Sequence, residues 1–309
     1  YYSKYTKKIM HDLLTGIINR SYRSLARAIS LVENKAEGYI EILSELPVVA
    51  DSIVIGLTGP PGAGKSTIAD ALIGEMVATK KKVGVVCVDP SSPFNFGALL
   101  GDRIRMNKWY NDPNVFIRSL ANRGSLGGLH PSIIEITDVM KAFGFDYIIV
   151  ETVGVGQSEV EIAGLADTTV IVLVPEAGDE VQTMKAGLME IGDIFVVNKA
   201  DRPGADIFVK NLQQILYPTR HLSSYQVPVV KTVAAENLGI DILFDKIKLH
   251  ALTNKSADKR FWLLTEKAYH LINARRMSNI NKETLFKKIK AKNEAENKFN
   301  LYRFIEEFE

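Results

Sequence analysis

Residues 59–66 read GPPGAGKS, and this stretch decides the fold. Gly59, Gly64, Lys65 and Ser66 satisfy the pattern G-x-x-x-x-G-K-[ST], which becomes specific only between a strand and a helix. The run before it, SIVIGLT, reads as a strand, and the run after it, TIADALIGEMV, has helical spacing. A helix N-terminus presents unpaired backbone N–H groups that favour anions. The stretch therefore predicts a loop that holds phosphate groups.

Each residue type in this loop has a physical role. Gly62 and Gly64 let the backbone approach the phosphates closely. Lys65 is expected to reach the β- and γ-phosphates, and the Ser66 hydroxyl is expected to coordinate Mg²⁺. The residues that we expect to contact the nucleotide from this loop are Gly59, Gly62, Ala63, Gly64, Lys65, Ser66 and Thr67.

A second motif, NKAD at residues 198–201, indicates which base is bound. The Asp201 carboxylate can accept hydrogen bonds from guanine N1–H and its exocyclic amine. Adenine has no such pair of donors and would leave the carboxylate unpaired, which is a strong basis for rejection. Lys199 can lay its stem along the base, and Asn198 can brace the loop. The motif follows a predicted strand more than a hundred residues after the phosphate loop, which predicts a guanine site.

A third element, DYIIVETVGVGQSE at residues 146–159, reads as a buried strand that ends in an acid and leads into a switch. Glu151 can bind Mg²⁺ directly or through water, and Gly154 can offer its N–H to the γ-phosphate. Val155 stands where small GTPases place a glutamine that orients the attacking water, so we expect weak intrinsic hydrolysis. Gln157 is a candidate substitute, although a helix-capping role for Gln157 and Ser158 is at least as well supported.

A fourth element, VDPSSPFNFGALLGDRIRM at residues 88–106, is a long loop after a strand, and long loops in compact domains are usually functional. Asp89 and Asp102 are candidate metal ligands. Arg103 and Arg105 could meet phosphate charge, or could form surface ion pairs, which are more common.

The wider pattern predicts an α/β protein with the three-layer architecture of P-loop NTPases. Short apolar runs alternate with amphipathic stretches, which is typical of a mostly parallel sheet covered on both faces. We expect an N-terminal helical extension at 1–50, a nucleotide-binding domain at 51–250 and a C-terminal helical arm at 251–309 that could serve dimerisation. The predicted strands are SIVIGLTG, KVGVVCVD, NVFIRS, DYIIVET, TTVIVLVP, DIFVVNK and VPVVKTVA.

Composition and charge argue against several classes of partner and against a disulfide-bonded architecture. The 309 residues carry a net charge of +2, and the Lys- and Glu-rich run KKIKAKNEAENK reads as a solvated helix face, so a nucleic acid is not expected as a partner. No apolar run approaches the roughly 18 residues of a membrane span, so a membrane is not expected as a partner either. The single cysteine, Cys87, excludes an internal disulfide framework and fits a reducing compartment. We expect a cytoplasmic protein, or one of the mitochondrial matrix if the source is eukaryotic. The chain does not begin with Met, so the sequence is compatible with a targeting segment upstream.

These residues together resemble the MeaB/ArgK group of P-loop GTPases, which includes the chaperone of methylmalonyl-CoA mutase and its human counterpart, the methylmalonic aciduria type A protein. The resemblance covers nearly the whole chain, including SLARAISLVE near the N-terminus. Runs such as ETVGVGQSE are far more specific than a phosphate loop alone. The motifs that carry it are GPPGAGKST, VDPSSPF, GDRIRM, SLGGL at 125–129, ETVGVGQSE, PEAGDEVQTMKAG and NKAD.

The resemblance implies binding of GTP and Mg²⁺, slow GTP hydrolysis, and a homodimer formed through helical extensions. It also implies docking on an adenosylcobalamin-dependent acyl-CoA mutase, where the protein gates cofactor loading and the expulsion of inactivated cobalamin. Asp89, Asp102 and Glu151 match the metal-site acids of the group. Asp179 and Lys185 match a third switch that couples mutase contact to hydrolysis. The catalytic set that we expect is therefore Lys65, Glu151, Gly154, Asp179 and Lys185.

One departure concerns the loop that contacts guanine, usually S-A-x-x-x-x-G. Here it reads VAAENLG, with Val233 at the serine position, and the backbone N–H of Ala234 can still meet the base.

Two alternative functions are disfavoured by the residues present. A metallochaperone GTPase is disfavoured because the five histidines are scattered and only one cysteine is present. An ATP-dependent transport-system kinase, an older description of this group, is disfavoured by Asp201.

Overall fold

The protein is described by a computed structural model, which covers residues 2–47, 52–89, 106–122, 129–154, 159–177, 188–216, 227–253, 257–276, 282–295 and 300–305. The chain divides into two compact units, Tyr1–Lys259 and Arg260–Glu309.

The first unit is built on a sheet of seven parallel strands in the order β3-β2-β4-β1-β5-β6-β7. All seven strands predicted from the sequence are present, and the α/β P-loop architecture is confirmed. The strands are β1 Ile53–Thr58, β2 Val83–Asp89, β3 Val115–Ala121, β4 Tyr147–Glu151, β5 Thr168–Leu173, β6 Ile194–Val197 and β7 Val229–Lys231.

Helices of the first unit lie on both faces of this sheet, and the second unit is helical as well. The described helices are α1 Tyr2–Ile18, α2 Tyr22–Glu33, α3 Tyr39–Glu45, α4 Lys65–Ala78, α5 Ile133–Phe143, α6 Glu159–Leu165, α7 Leu188–Ile191, α8 Ala205–Leu216, α9 Ile240–Thr253, α10 Ala257–Arg276, α11 Lys282–Ala295 and α12 Leu301–Ile305. Three short 3-10 turns, Asn107–Trp109, Pro175–Ala177 and Ala234–Glu236, lie in the connections.

The core consists of two apolar layers, one on each face of the sheet. Alternate strand residues such as Ile55 and Val172 face a layer formed with α4 and α9. Their neighbours, such as Val54 and Ile171, face the opposite layer, which consists of one cluster formed with α2, α5 and α6 and a second cluster formed with α8. All seven residues of β2 are buried, which is why a central parallel strand reads as a continuous apolar run. Cys87 is one of them, so the thiol packs in the core.

The N-terminal helices belong to the same compact unit as the sheet. Leu25, Ile29 and Val32 of α2 are completely buried and join the apolar layer that includes α5. On edge strand β3, the guanidinium of Arg118 donates to Glu33 Oε2 at 2.6 Å and to Ser30 Oγ at 3.1 Å. These contacts attach α2 to one edge and one face of the sheet.

The second unit contains most of α10 together with α11 and α12. Within it, the Lys292 ammonium lies 5.7 Å from the centre of the buried Phe304 ring. Several large apolar side chains are exposed there, including Phe261, Trp262 and Phe286. No helix in the described parts of the chain has the length and apolar content needed to cross a membrane.

Candidate functional site

A cavity of about 460 Å³ opens at the carboxyl ends of β1, β2 and β4. This is where ligands bind in open α/β sheets, because the loops after adjacent strands converge at that edge. Its lining includes most of the phosphate loop, the ends of β2 and β4, and one residue of the NKAD motif. The lining residues are Pro61, Gly62, Gly64, Lys65, Ser66, Thr67, Val88, Asp89, Glu151, Thr152, Val153 and Lys199.

The predicted phosphate loop joins β1 to α4 as a strand–loop–helix. Gly64 is the N-cap of α4 and has a φ of 93°, in the left-handed region that favours glycine. A Cβ at this position would also collide with the side-chain amide of Asn198. Glycine is therefore required here both by the backbone conformation and by the approach of the NKAD loop.

Lys65 is buried, and its ammonium is held inside the loop. Nζ donates to the carbonyl of Gly59 at 2.9 Å and to that of Pro60 at 3.1 Å. These bonds compensate for burying a charge, which would otherwise be costly. The ammonium thus lies at the floor of the cavity, where a phosphate can replace carbonyl partners.

The predicted metal ligands in the described residues lie together. The Ser66 hydroxyl donates to Glu151 Oε1 at 2.6 Å. Asp89 and Glu151 end the neighbouring strands β2 and β4, and both side chains are buried at the cavity. Oxygen ligands of this kind fit Mg²⁺, which typically uses one or two carboxylates together with phosphate oxygens and water. The described residues hold no group of three His, Cys, Asp or Glu side chains suited to a metal ion.

Gly154 lies directly against the phosphate loop. Its φ is 83°, and a Cβ there would collide with the Lys65 ammonium and the Gly59 carbonyl. The backbone that follows Glu151 is therefore packed on the lysine that is expected to bind the γ-phosphate. A larger residue at 154 could not make this approach.

The NKAD loop is bonded to the phosphate loop. Asn198 Nδ2 donates to the carbonyl of Ala63 at 2.9 Å, and Lys199 Nζ donates to that of Gly62 at 2.8 Å. Asn198 Oδ1 accepts from the Thr232 hydroxyl at 3.1 Å and from the backbone N–H of Ala234 at 3.2 Å. The structure thus brings together three segments that the sequence linked only by motif: the phosphate loop, NKAD and VAAENLG.

Asp201 lies in the exposed turn that follows, between β6 and α8. The next residue, Arg202, forms an ion pair of 2.6 Å with Glu176, in the 3-10 turn after β5. The hydrogen bond from Arg202 lowers the pKa of Glu176 below its ordinary value. This pair connects the predicted guanine loop to the start of PEAGDEVQTMKAG.

Some contacts at the site were not predicted from the sequence. The Thr152 and Thr58 hydroxyls bond to each other at 3.0 Å in the interior. Thr232, directly after the neighbouring strand β7, braces Asn198, which directly follows β6. Thr58 directly precedes the phosphate loop and Thr152 lies within ETVGVGQSE, which was the available signal, but their pairing depends on β4 lying next to β1.

Other predicted positions lie outside the described residues: Asp102, Arg103, Arg105, Val155, Gln157, Ser158, Asp179 and Lys185.

His130 and His250 are buried and form hydrogen bonds within the protein. His130 Nδ1 accepts from the backbone N–H of Ser132 at 3.0 Å. His250 Nδ1 lies 2.9 Å from the Thr168 hydroxyl, and its Nε2 lies 3.5 Å from Asp193 Oδ1.

The family model for methylmalonyl-CoA mutase-associated GTPase MeaB matches residues 25–294 of the chain. The chain is 54% identical over 246 residues to a Pyrococcus abyssi protein provisionally named a GTPase, covering 78% of this chain and 76% of that protein. It is 36% identical to GTPase ArgK of Escherichia coli, over 72% of this chain and 70% of that one.

A longer relative is the fused isobutyryl-CoA mutase of Geobacillus kaustophilus, which is 33% identical over 81% of this chain but only 25% of its own length. Among solved structures, a LAO/AO transport system kinase superposes with a TM-score of 0.68 over 97% of this chain and 96% of its own, and at 24% identity it supports the fold alone. The chain therefore belongs to the MeaB family of GTPases, binding guanine nucleotide and hydrolysing GTP.

Proposed function

We propose that this GTPase docks on an adenosylcobalamin-dependent acyl-CoA mutase and gates the loading and reactivation of its cofactor, with methylmalonyl-CoA mutase as the default client. The observation that carries the proposal is the relative named fused isobutyryl-CoA mutase. This chain aligns with only a quarter of it. We infer that a GTPase of this family and a mutase share one polypeptide there, which is a natural arrangement for two proteins that work in contact. The family description names a mutase as well.

In the nucleotide complex, we assign the phosphates to the cavity beside α4. Lys65 would exchange carbonyl partners for β- and γ-phosphate oxygens, and the Gly154 N–H would meet the γ-phosphate. Ser66, Asp89 and Glu151, joined by Asp102, would hold Mg²⁺, which neutralises charge on the transferring phosphoryl group. Asp201 would read guanine, with Lys199 along the base and Ala234 at the opposite edge.

Hydrolysis by the isolated protein is proposed to be slow, because Val155 cannot orient water. Docking on the mutase would complete the site through the third switch, where Asp179 and Lys185 are assigned. Contacts to the γ-phosphate would order the loops around Asp89, Gly154 and Asp179. Hydrolysis would remove these contacts, and the loops would lose that order. GTP hydrolysis would then reset the complex.

The helical arm at 251–309 is proposed to form a homodimer contact. Support comes from large apolar side chains exposed in the second unit, among them Phe261, Trp262 and Phe286. Contact with a second copy would remove the apolar surface of these side chains from water. We also propose domain boundaries at residues 50 and 250, where helical spacing in the sequence gives way to alternating strands and helices and then returns.

The test is GTP hydrolysis by the protein alone and with the adenosylcobalamin-dependent mutase of the same organism. A slow rate that rises sharply with the mutase supports both the GTPase mechanism and the client. A slow rate that is unchanged by saturating mutase contradicts that client, although the GTPase assignment stands.

A further inference from the structure

Two buried threonine hydroxyls join the strands on either side of the phosphate site. Thr58 is the last residue of β1, and Thr152 is the first residue after β4. Their Oγ1 atoms are 3.0 Å apart, and the two residues are 0% and 2% exposed. The backbone N–H of Thr152 also donates to the carbonyl of Leu57 at 3.0 Å. Thr152 is therefore attached to β1 by its backbone and by its side chain.

This bond lies at the base of both loops that meet Lys65. On one side, Thr58 precedes Gly59, whose carbonyl accepts from the Lys65 ammonium. On the other side, Thr152 is two residues before Gly154, whose backbone packs on the same ammonium and on the same carbonyl. The threonine pair therefore lies where the distance between the phosphate loop and the segment from Thr152 to Gly154 is determined.

The side-chain bond adds a constraint that the backbone bond does not provide. One backbone hydrogen bond allows the segment from Thr152 to Gly154 to pivot about it, whereas a second bond on the same residue restricts that rotation. In a buried, weakly polar environment such a bond is stronger than in water. Its loss would leave a buried hydroxyl without a partner.

We infer that Thr152 is a positioning residue: through its bond to Thr58 it holds Gly154 beside Lys65, in place to meet the γ-phosphate. This inference rests on the role proposed above for Gly154. Because GDP lacks the γ-phosphate, the hydroxyl pair should affect binding of the triphosphate and leave binding of the diphosphate almost unchanged.

The experiment compares Thr152→Val with the parent by fluorescence titration of GDP and of a non-hydrolysable GTP analogue. Valine keeps the shape of threonine and removes the hydroxyl. The dissociation constant of the analogue is expected to rise about tenfold, and that of GDP to change by less than about twofold, since one lost hydrogen bond corresponds to roughly a factor of ten. The kcat for GTP is expected to fall as well, and Thr152→Ser, which restores the hydroxyl, should recover both values.

Equal weakening of both nucleotides in Thr152→Val would overturn the inference, because a merely structural role predicts that result. Thr58→Val makes the same comparison from the other side of the bond should Thr152→Val fail to fold. In the double variant, the loss should not exceed that of either single variant if the two hydroxyls act as a unit. Thr137→Val is the matched control, since Thr137 is equally buried but bonds within α5 to the carbonyl of Ile133.

Gly154→Ala separates this inference from the role assigned to Gly154. If Gly154→Ala loses preference for the triphosphate but Thr152→Val does not, the positioning role is wrong and the Gly154 role stands. If neither variant alters that preference, both fail together.

Discussion

Among the individual residues of the site, Asn198 has the widest set of partners described here. Its side chain bonds to the Ala63 carbonyl, the Thr232 hydroxyl and the Ala234 backbone N–H, and it is almost completely buried. These partners belong to the phosphate loop and to the loop after β7. A residue of the predicted guanine motif is therefore a structural link among three loops.

Asn198→Ala is expected to destabilise the protein by about 2–4 kcal/mol, because it leaves several buried polar groups without partners. It should also weaken GDP binding by at least about tenfold, since one lost bond accounts for a factor of that size. Urea unfolding and GDP titration measure the two effects. Asn211→Ala, at an exposed position of α8, is the control. Parent-like stability in Asn198→Ala would show that these bonds contribute little.

Asp201→Asn is expected to weaken GTP binding and to reduce the preference for GTP over ATP. The amide presents a donor where guanine also presents donors, so the base loses an acceptor pair. Competition titrations with both nucleotides measure the preference. Unchanged discrimination would contradict the reading of NKAD as the guanine motif.

Between elements, the clearest polar connection to the N-terminal helices is the pair of Arg118 on β3 and Glu33 on α2. Their side chains are only 23% and 14% exposed, so the pair is largely shielded from water. Removing one partner from such a pair leaves the other charge poorly solvated. The attachment of α2 to the sheet edge should therefore depend on it.

Glu33→Ala is expected to cost about 1–3 kcal/mol in unfolding free energy and to speed amide hydrogen exchange in α2. Exchange detected by mass spectrometry over residues 22–33 measures the local effect. Asp206→Ala serves as the control, because it removes an exposed partner of Lys231 and should change little. Equal exchange of α2 in parent and variant would argue that apolar packing alone holds this helix.

A second inter-element contact makes stability depend on pH. Asp146, just before β4, accepts from the backbone N–H of Lys82 and from the Lys81 ammonium. Burial acts to raise the pKa of Asp146, but the hydrogen bonds from Lys82 and Lys81 outweigh it and hold the pKa below its ordinary 3.8. A carboxyl with a lowered folded-state pKa stabilises the fold above its unfolded pKa, and that contribution disappears as pH falls through the folded value.

The parent should therefore lose stability relative to Asp146→Asn as pH falls from about 6 to about 3. Urea unfolding midpoints over that range measure the difference. Asp241→Asn, at an exposed position on α9, is the control. Stability curves of parent and Asp146→Asn that remain parallel would contradict the contribution assigned to this carboxylate.

At the scale of the whole molecule, the proposed coupling to a mutase is tested by Lys185→Ala. GTP binding should remain nearly intact, because the phosphate loop and NKAD loop are unaltered, whereas mutase-stimulated hydrolysis should fall. Hydrolysis rates with and without the mutase measure this. Lys210→Ala, an exposed lysine on α8, is the control. Equal stimulation of the Lys185 variant and the parent would refute the third-switch assignment.

Much of the architecture could be predicted because its signals are local. A glycine-rich loop between a strand and a helix has to form at GPPGAGKS, and central strands such as VGVVCVD show burial directly in their composition. Alternation of strands and helices likewise implies a parallel sheet. It does not give the strand order, in which β4 lies between β2 and β1.

The amino-acid sequence by itself determined the phosphate loop, the guanine motif, the α/β class and the family, since each depends on residues close together in the chain. Only the tertiary structure decided that Asn198 joins three loops, that Arg118 pairs with Glu33, and that Thr58 bonds to Thr152, 94 residues away. Such contacts follow from which strands are neighbours and how the helices pack on them. That order is set by burial of the whole core and is not written in any single segment.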